Sequence, residues 1–272
     1  MGHRSYGAPG ALSARALSDL VRVEIPGVWA EGAPPRFTGR ALNGWFYAQI
    51  EARDPDLAAE LHQDDDVKPY TLALVDGNPG RLIVSGYGPL FAPVLDLGGR
   101  VGRLLLDACW WDAVDEPRWT IAAWDHLAGA LLAPDPPSST RLAFRSPTTF
   151  HRRGLYVPLP APEWLFAGLL ARWRRWSPID PGEEADAALA SIALGRFHCT
   201  GVAVQTAGLM PSFVGWAEYR MVRPAEGYAG LLGMLAQFAP FAGVGHKVGQ
   251  GLGSVERVFP RRRTADPPPG KG

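Results

Sequence analysis

Apolar and polar residues alternate in Leu17–Val28, through Leu20, Arg22, Val23, Glu24 and Ile25, which predicts a first strand. Pro34 and Pro35 break the chain. In Arg40–Arg53 the residues Leu42, Trp45, Phe46, Gln49 and Ile50 fall at helical spacing and predict an amphipathic helix. Pro55, with Asp54 as its cap, starts a second short helix that ends near His62. Tyr70–Val75 and Arg81–Tyr87 read as strands joined by the turn-forming run Asp76–Gly80. Val101–Trp111 fits helix or strand, and Trp119–Leu132 is expected to supply the last strand. This β-α-β-β-α-β order fits a ferredoxin-like unit.

Pro134, Pro136 and Pro137, followed by Ser138 and Ser139, form a linker, after which the pattern returns. Arg141–Arg145 reads as a short strand, followed by the loop Ser146-Pro147-Thr148-Thr149-Phe150. Glu163–Trp176 is a strong helix with Trp164, Leu165, Leu169, Leu170 and Trp173 on its apolar side. Phe197–Gln205 and Val214–Val222 alternate as strands, Gly227–Phe241 is an apolar helix, and Ser254–Phe259 a final strand. The expected fold class is α+β, with two tandem ferredoxin-like (RRM-like) domains whose sheets face a shared cleft. The N-terminal domain spans 1–132, a linker 133–140, the C-terminal domain 141–260, and a basic, proline-rich tail 261–272.

Composition narrows the reading less than pattern does. Apolar residues make up 47% and charged residues 20%, as in ordinary globular proteins, and no run reaches the length of a membrane span. The longest apolar candidate, Gly227–Val244, is broken by glycines, Gln237 and Pro240. The N-terminus lacks a signal-peptide core, and Cys109 and Cys199 are isolated, which points to a reducing cytoplasm. Lys plus Arg and Asp plus Glu balance at 27 each, but they are unevenly placed. Asp64-Asp65-Asp66 crowd the first half, whereas Arg152-Arg153, Arg172-Arg174-Arg175, Arg220, Arg223 and Arg261-Arg262-Arg263 lie in the second. A basic face on a neutral protein can still bind phosphate.

The most specific local feature is Gly243-Val244-Gly245-His246-Lys247-Val248-Gly249-Gln250-Gly251-Leu252-Gly253. Two Gly-apolar-Gly triplets bracket five residues that include a lysine. Glycine allows positive φ and close approach, and successive amides can form an anion-binding nest. Neither a Walker A loop nor a dinucleotide fingerprint fits, since Val248 follows Lys247 and the loop leaves a helix to enter a strand. With this loop between the last helix and strand of a second ferredoxin-like unit, the chain resembles the CRISPR-associated endoribonucleases that process precursor crRNA, members of the RAMP superfamily. Ser146–Phe150 with Leu159-Pro160, Phe213-Val214-Gly215-Trp216, Leu57–His62 and Lys68–Thr71 extend the resemblance over most of residues 17–259.

The resemblance implies an endoribonuclease that cuts CRISPR repeat RNA by attack of a 2′-OH on the adjacent phosphate. Such chemistry needs proton transfer at both oxygens and stabilisation of the phosphorane. In the family branch with a Tyr/His/Lys set, the tyrosine lies in the first helix, the histidine ends the next, and the lysine precedes the following strand. Tyr47, His62 and Lys68 occupy those places. Each also has a plainer reading: Tyr47 as core, His62 as a helix C-terminal residue, Lys68 as a solvated flank. His246 and His151 are rival histidines, whereas His3, His126 and His198 look incidental. The expected RNA contacts are Gly243, Gly245, His246, Lys247, Gly249, Gly251 and Gly253, with Arg172 and Arg175. No metal or cofactor is assigned. The expected partners are repeat RNA and other CRISPR effector subunits, with no membrane, and the protein is expected to be a monomer or homodimer. The alternatives are a non-catalytic RAMP subunit that binds crRNA and an unrelated ferredoxin-like ligand-binding protein.

Overall fold

The computed structural model describes residues 19–30, 38–63, 67–206 and 208–258. Pro34-Pro35, Asp64–Asp66 and Arg261–Arg263 lie outside them. Strand β1 (Asp19–Trp29) is central to the first sheet. It pairs along one edge with β3 (Gly80–Tyr87), which in turn pairs with β2 (Tyr70–Val75). Its other edge is shared: β6 (Arg118–Ala123) takes Asp19–Glu24, and β5 (Cys109–Ala113) takes Gly27–Trp29 and carries β4 (Arg103–Leu106) outside it. Helices α1 (Gly39–Glu51) and α2 (Pro55–Gln63) connect β1 to β2, and α3 (Phe91–Gly98) follows β3. Leu42, Phe46 and Ile50 of α1 are spaced four apart and buried in one core with Leu57 and Leu61 of α2. The expected cap of α2 is present: the Leu57 amide donates to Asp54 Oδ1 at 2.9 Å.

The second sheet runs β10 (Ile192–Gln205), β11 (Leu209–Met221), β7 (Ser139–Thr148) and β12 (Val255–Val258). Helix α5 (Pro162–Trp176) and the short α6 (Ala185–Ala188) lie between β7 and β10, and α7 (Leu231–Ala242) lies between β11 and β12. In both sheets, with strands numbered along β-α-β-β-α-β, the second pairs the third, the third the first, and the first the fourth. Every pairing is antiparallel.

Two local expectations change, and the open choice at Val101–Trp111 is decided for strand. Trp119–Leu132 is β6 followed by the helix α4 (Trp124–Gly129), since a helix turns both Trp124 and Leu127 inward, each 2% exposed. Val101–Trp111 belongs to the β4–β5 hairpin, which turns through Asp107 and Ala108 at positive φ. The second helix of the β-α-β-β-α-β order is α3, which lies earlier in the chain. The loop expected at Ser146–Phe150 is the end of β7 and the start of a small hairpin, β8 (Phe150–Arg152) and β9 (Leu155–Val157).

Helix α7 is apolar on every side because both sheets enclose it. Its residues share a core with α4, α5 and β7, and with Leu20 and Tyr87 of the first sheet. Its C-terminal carbonyls, which lack intrahelical partners, are met by the first sheet. The buried Arg22 of β1 donates Nη1–H to the Pro240 carbonyl at 2.7 Å, and Thr71 of β2 donates to that of Phe241 at 3.5 Å. A cation there also suits the helix dipole. Ion pairs close a further seam: Arg81 of β3 holds Glu24 at 2.8 Å and Glu256 of β12 at 3.0 Å, while Arg145 of β7 holds Glu256 at 2.7 Å. Burial raises the Glu24 carboxyl pKa, but Arg22 and Arg81 outweigh it, and the net shift is downward. Among the described residues, no helix is long and apolar enough to cross a membrane.

Phe238 of α7 stands 5.5 Å from Tyr87, 5.3 Å from Trp124 and 5.5 Å from Trp173, ring centre to ring centre. Because it is fully buried where the two halves meet, Phe238→Ala is expected to cost about 3–5 kcal/mol. Equilibrium urea unfolding followed by tryptophan fluorescence measures this; a loss below about 1 kcal/mol would be incompatible with this packing.

Candidate functional site

A cleft of about 670 Å³ opens between the two halves. One wall comes from α1, the end of α2 and the approach to β2: Asn43, Tyr47, His62, Val67, Lys68 and Tyr70. The facing wall comes from β8, α5 and the glycine loop: Phe150, His151, Arg152, Trp164, Arg172 and the run Gly245–Gln250. The sorting of charge is clear. Three histidines and the cations Lys68, Arg152, Arg172 and Lys247 line the cleft, with no aspartate or glutamate among the described lining residues.

The structure brings Tyr47, His62 and Lys68 together around the end of α2. The Tyr47 hydroxyl donates to the Leu61 carbonyl at 3.0 Å, and Lys68 Nζ donates to the same carbonyl. The exposed His62 ring meets Tyr47 edge-on, with centroids 5.2 Å apart. The segment carrying Lys68 is pinned from both halves. Trp176 of α5 donates Nε1–H to the Val67 carbonyl at 2.7 Å, and Tyr87 donates to the Lys68 carbonyl at 3.3 Å. Beneath these residues, Tyr70 donates to Asn43 Oδ1 at 2.9 Å, and burial, with Tyr47 beside it, raises its phenol far above the ordinary range.

The glycine loop is shaped by its own backbone before it can serve a ligand. Gly245 and Gly253 have φ of 83° and 69°, and a Cβ on Gly253 would lie 1.9 Å from the Val244 carbonyl oxygen. The amides of Gly243, Val244, His246 and Gly253 donate to Ala239, Gly253, Thr149 and Pro147, and those of Gln250 and Leu252 donate to Lys247. An anion nest over the whole run is therefore too broad an expectation: Gly243 and Gly253 are buried builders of the loop. Gly245, His246, Lys247 and Gly249 line the cleft, while Gly251 takes positive φ at the loop's exit.

The two expected arginines separate. Arg172 lies in the cleft wall, but its guanidinium donates to the Gly168 carbonyl at 3.3 Å and to that of Gly245 at 3.2 Å. It ties the loop to α5, and burial pulls its pKa down against the opposing effect of Tyr87. Arg175 is not among the cleft residues; it stands over the Trp176 ring at 5.2 Å. Sequence reasoning missed Asn43, Trp164 and the β8–β9 hairpin. The hairpin's signal was Gly154 after Arg153, a pair that supplies the two positive-φ turn positions.

His151 of β8 faces Tyr156 of β9, and His246 of the loop lies 5.2 Å from the first and 5.9 Å from the second. Burial, the adjacent Lys247 and then His151 pull the His246 pKa down to about 4. Among the described residues no three His, Cys, Asp or Glu side chains converge as metal ligands would.

Residues 142–255 match the family model described as CRISPR-associated endoribonuclease Cas6. A curated CRISPR-associated endoribonuclease Cas6 of Mycobacterium tuberculosis is 30% identical over 136 residues, which are 47% of this chain and 42% of that relative. The matched part therefore spans less than half of the curated relative. A solved Cas6 product complex superposes with TM-score 0.73 and 26% identity over 89% of this chain and 100% of that one. Cas6 of Thermus thermophilus does so with TM-score 0.67 and 25% identity over 92% and 100%.

The His246 shift gives stability a direction with pH. Between the ordinary value of 6.5 and about 4, the unfolded chain holds a proton that the folded chain lacks. Stability contributed by the neutral ring is thus expected to fall as pH drops through that window. His246→Gln, which cannot titrate, is expected to flatten this segment of the unfolding free-energy profile against pH; an unchanged slope would contradict the shift.

Proposed function

We propose that this chain, which belongs to the Cas6 family of CRISPR-associated endoribonucleases, cuts CRISPR repeat RNA in the cleft between its two halves without a metal ion. We read the two sheets as tandem ferredoxin-like domains meeting near residues 133–140, the strand orders supporting that reading. The observation that carries the functional proposal is the cleft's chemistry. It offers histidines, lysines and arginines without a described carboxylate, on a chain whose formal charge is zero. Such a lining favours a polyanion, and it holds groups suited to proton transfer and to charge stabilisation.

In this reading the nucleophile is the RNA's own 2′-OH, which attacks the adjacent phosphorus as the bond to the 5′-oxygen breaks. The products are a 2′,3′-cyclic phosphate and a 5′-hydroxyl. His62 transfers a proton at one of the two oxygens, and solvent water exchanges the proton at the other. Lys68 and Lys247, from opposite walls, balance charge on the phosphorane. Tyr47 orients the His62 ring, and Arg172 holds Gly245 so that the loop keeps its shape. Beyond the repeat RNA, other CRISPR effector subunits are the partners this role implies.

His62→Ala is expected to lower the single-turnover rate on the cognate repeat by about 10²–10⁴-fold while binding is little changed. Tyr47→Phe and Lys68→Ala are expected to cost less. A 2′-deoxy nucleotide at the cut should abolish cleavage, and a chelator should leave the rate unchanged. If His62→Ala cleaves like the unaltered protein while His246→Ala is inactive, the assignment is wrong. Repeat binding without any cleavage would instead fit a crRNA-binding RAMP subunit.

The cationic lining carries a separate expectation. Affinity for repeat RNA should fall steeply as salt rises from about 50 to 200 mM, because bound counterions are released. Lys247→Ala should weaken binding to all sequences alike and make that fall shallower. A dissociation constant flat over this range, measured by filter binding, would count against a phosphate-lined cleft.

A further inference from the structure

The ring cluster on the C-terminal wall is not needed for the proton transfers assigned to His62, yet it is built with care. Arg153 and Gly154, with φ of 48° and 80°, form a tight two-residue turn that fixes the register of β8 and β9. That register sets His151 directly opposite Tyr156, their ring centres 5.2 Å apart. His246 closes the triangle from the glycine loop, tilted only 31° from His151. Its amide donates to the Thr149 carbonyl at 2.9 Å, which ties the loop to the root of the same hairpin. Tyr156 is 37% exposed and Leu155 beside it 69% exposed, so the hairpin presents rings and an apolar tip outward instead of burying them. His151 and His246 line the cleft that holds Tyr47, His62 and Lys68 on its other side.

We infer that the His151–Tyr156–His246 cluster is a stacking platform for an unpaired nucleobase next to the scissile phosphate, and that it sets where the RNA is cut. The inference rests on the RNA-cleaving reading above and deepens it. A flexible strand must place one phosphate, and not its neighbours, beside His62. Cations cannot do this alone, because every nucleotide offers the same phosphate. A base held on fixed rings locks the register by one nucleotide, and stacking accepts any base because each has a π-face. The depressed pKa of His246 agrees with this role: near neutral pH its ring is uncharged and serves as a surface. The three residues are positioning residues, and His62 keeps the chemistry.

The test uses the full chain and the repeat RNA of its own array, held uncut by a 2′-deoxy sugar at the scissile position. 2-Aminopurine replaces the base on either side of the cut in turn. Fluorescence of one of the two labels is expected to be quenched on binding. Tyr156→Ala and Tyr156→Leu should each lose that quench, and Tyr156→Phe should restore it. On cleavable RNA at saturating protein, the combined His151→Ala and Tyr156→Ala change should lower the rate about 5- to 150-fold and spread the cut over neighbouring phosphates. Tyr156→Leu keeps an apolar side chain on the hairpin, so its loss of quench separates stacking from folding. An unchanged quench and a single cut position in Tyr156→Leu and in the double variant would overturn the platform and leave the RNA-cleaving reading intact. Failure of the unaltered protein to bind the repeat would overturn both.

Discussion

The rest of the structure depends on how α7 ends. A helix that is apolar all round must be covered on all sides, and here it is placed between two sheets. Its last carbonyls then need partners that its own sheet does not provide. Arg22 and Thr71, both from the N-terminal sheet, supply them at Pro240 and Phe241. This fixes the point at which the glycine loop begins relative to β2, and so brings the loop opposite Tyr47 and His62. The cleft follows from that clamp and from Trp176, which holds Val67 from the other side.

A neutral chain can own a cationic cleft only if its carboxylates are used elsewhere. Much of that use is visible on the sheets. Glu24 is paired with Arg22 and Arg81, Glu256 with Arg81 and Arg145, and the buried Glu218 with Arg141, Arg196 and Arg220. The hydrogen bonds from Arg220 do most to hold the Glu218 carboxyl below its ordinary range. Lys68, Arg152 and Lys247 face a lining in which the described residues include no such counter-charge. Net charge alone would have hidden this, since the sum says nothing about where opposite charges meet.

The glycine loop shows how one motif serves two demands. Its positive-φ positions and close approaches are needed for it to leave α7, meet Thr149 and enter β12. The same bends leave Gly245, Lys247 and Gly249 at the cleft. Arg172 belongs to this construction too, because its guanidinium reaches the Gly245 carbonyl. A cation counted as ligand-binding from its place in the chain is in large part a brace for the surface the ligand would meet.

The sequence by itself determined the local elements that carry the candidate residues. Four-residue spacing set α1 and so the position of Tyr47; Asp54 and Pro55 set the start of α2 and so its end at His62; the spaced glycines set a turn between α7 and β12. These are short-range constraints, written in side chains a few residues apart. It did not determine α4, where both Trp124 and Leu127 needed a core to turn toward, nor β8 and β9, whose three-residue strands are too short to show a period. Nor did it separate Arg172 from Arg175, one turn apart in effect and both basic, since only packing decides which of two helix arginines meets a loop carbonyl. The cleft itself is a tertiary product: Tyr70 of one wall and Phe150 of the other are the nearest in the chain, and the shared burial of α7, with the contacts that clamp its end and the Trp176 bond to Val67, brings the walls face to face.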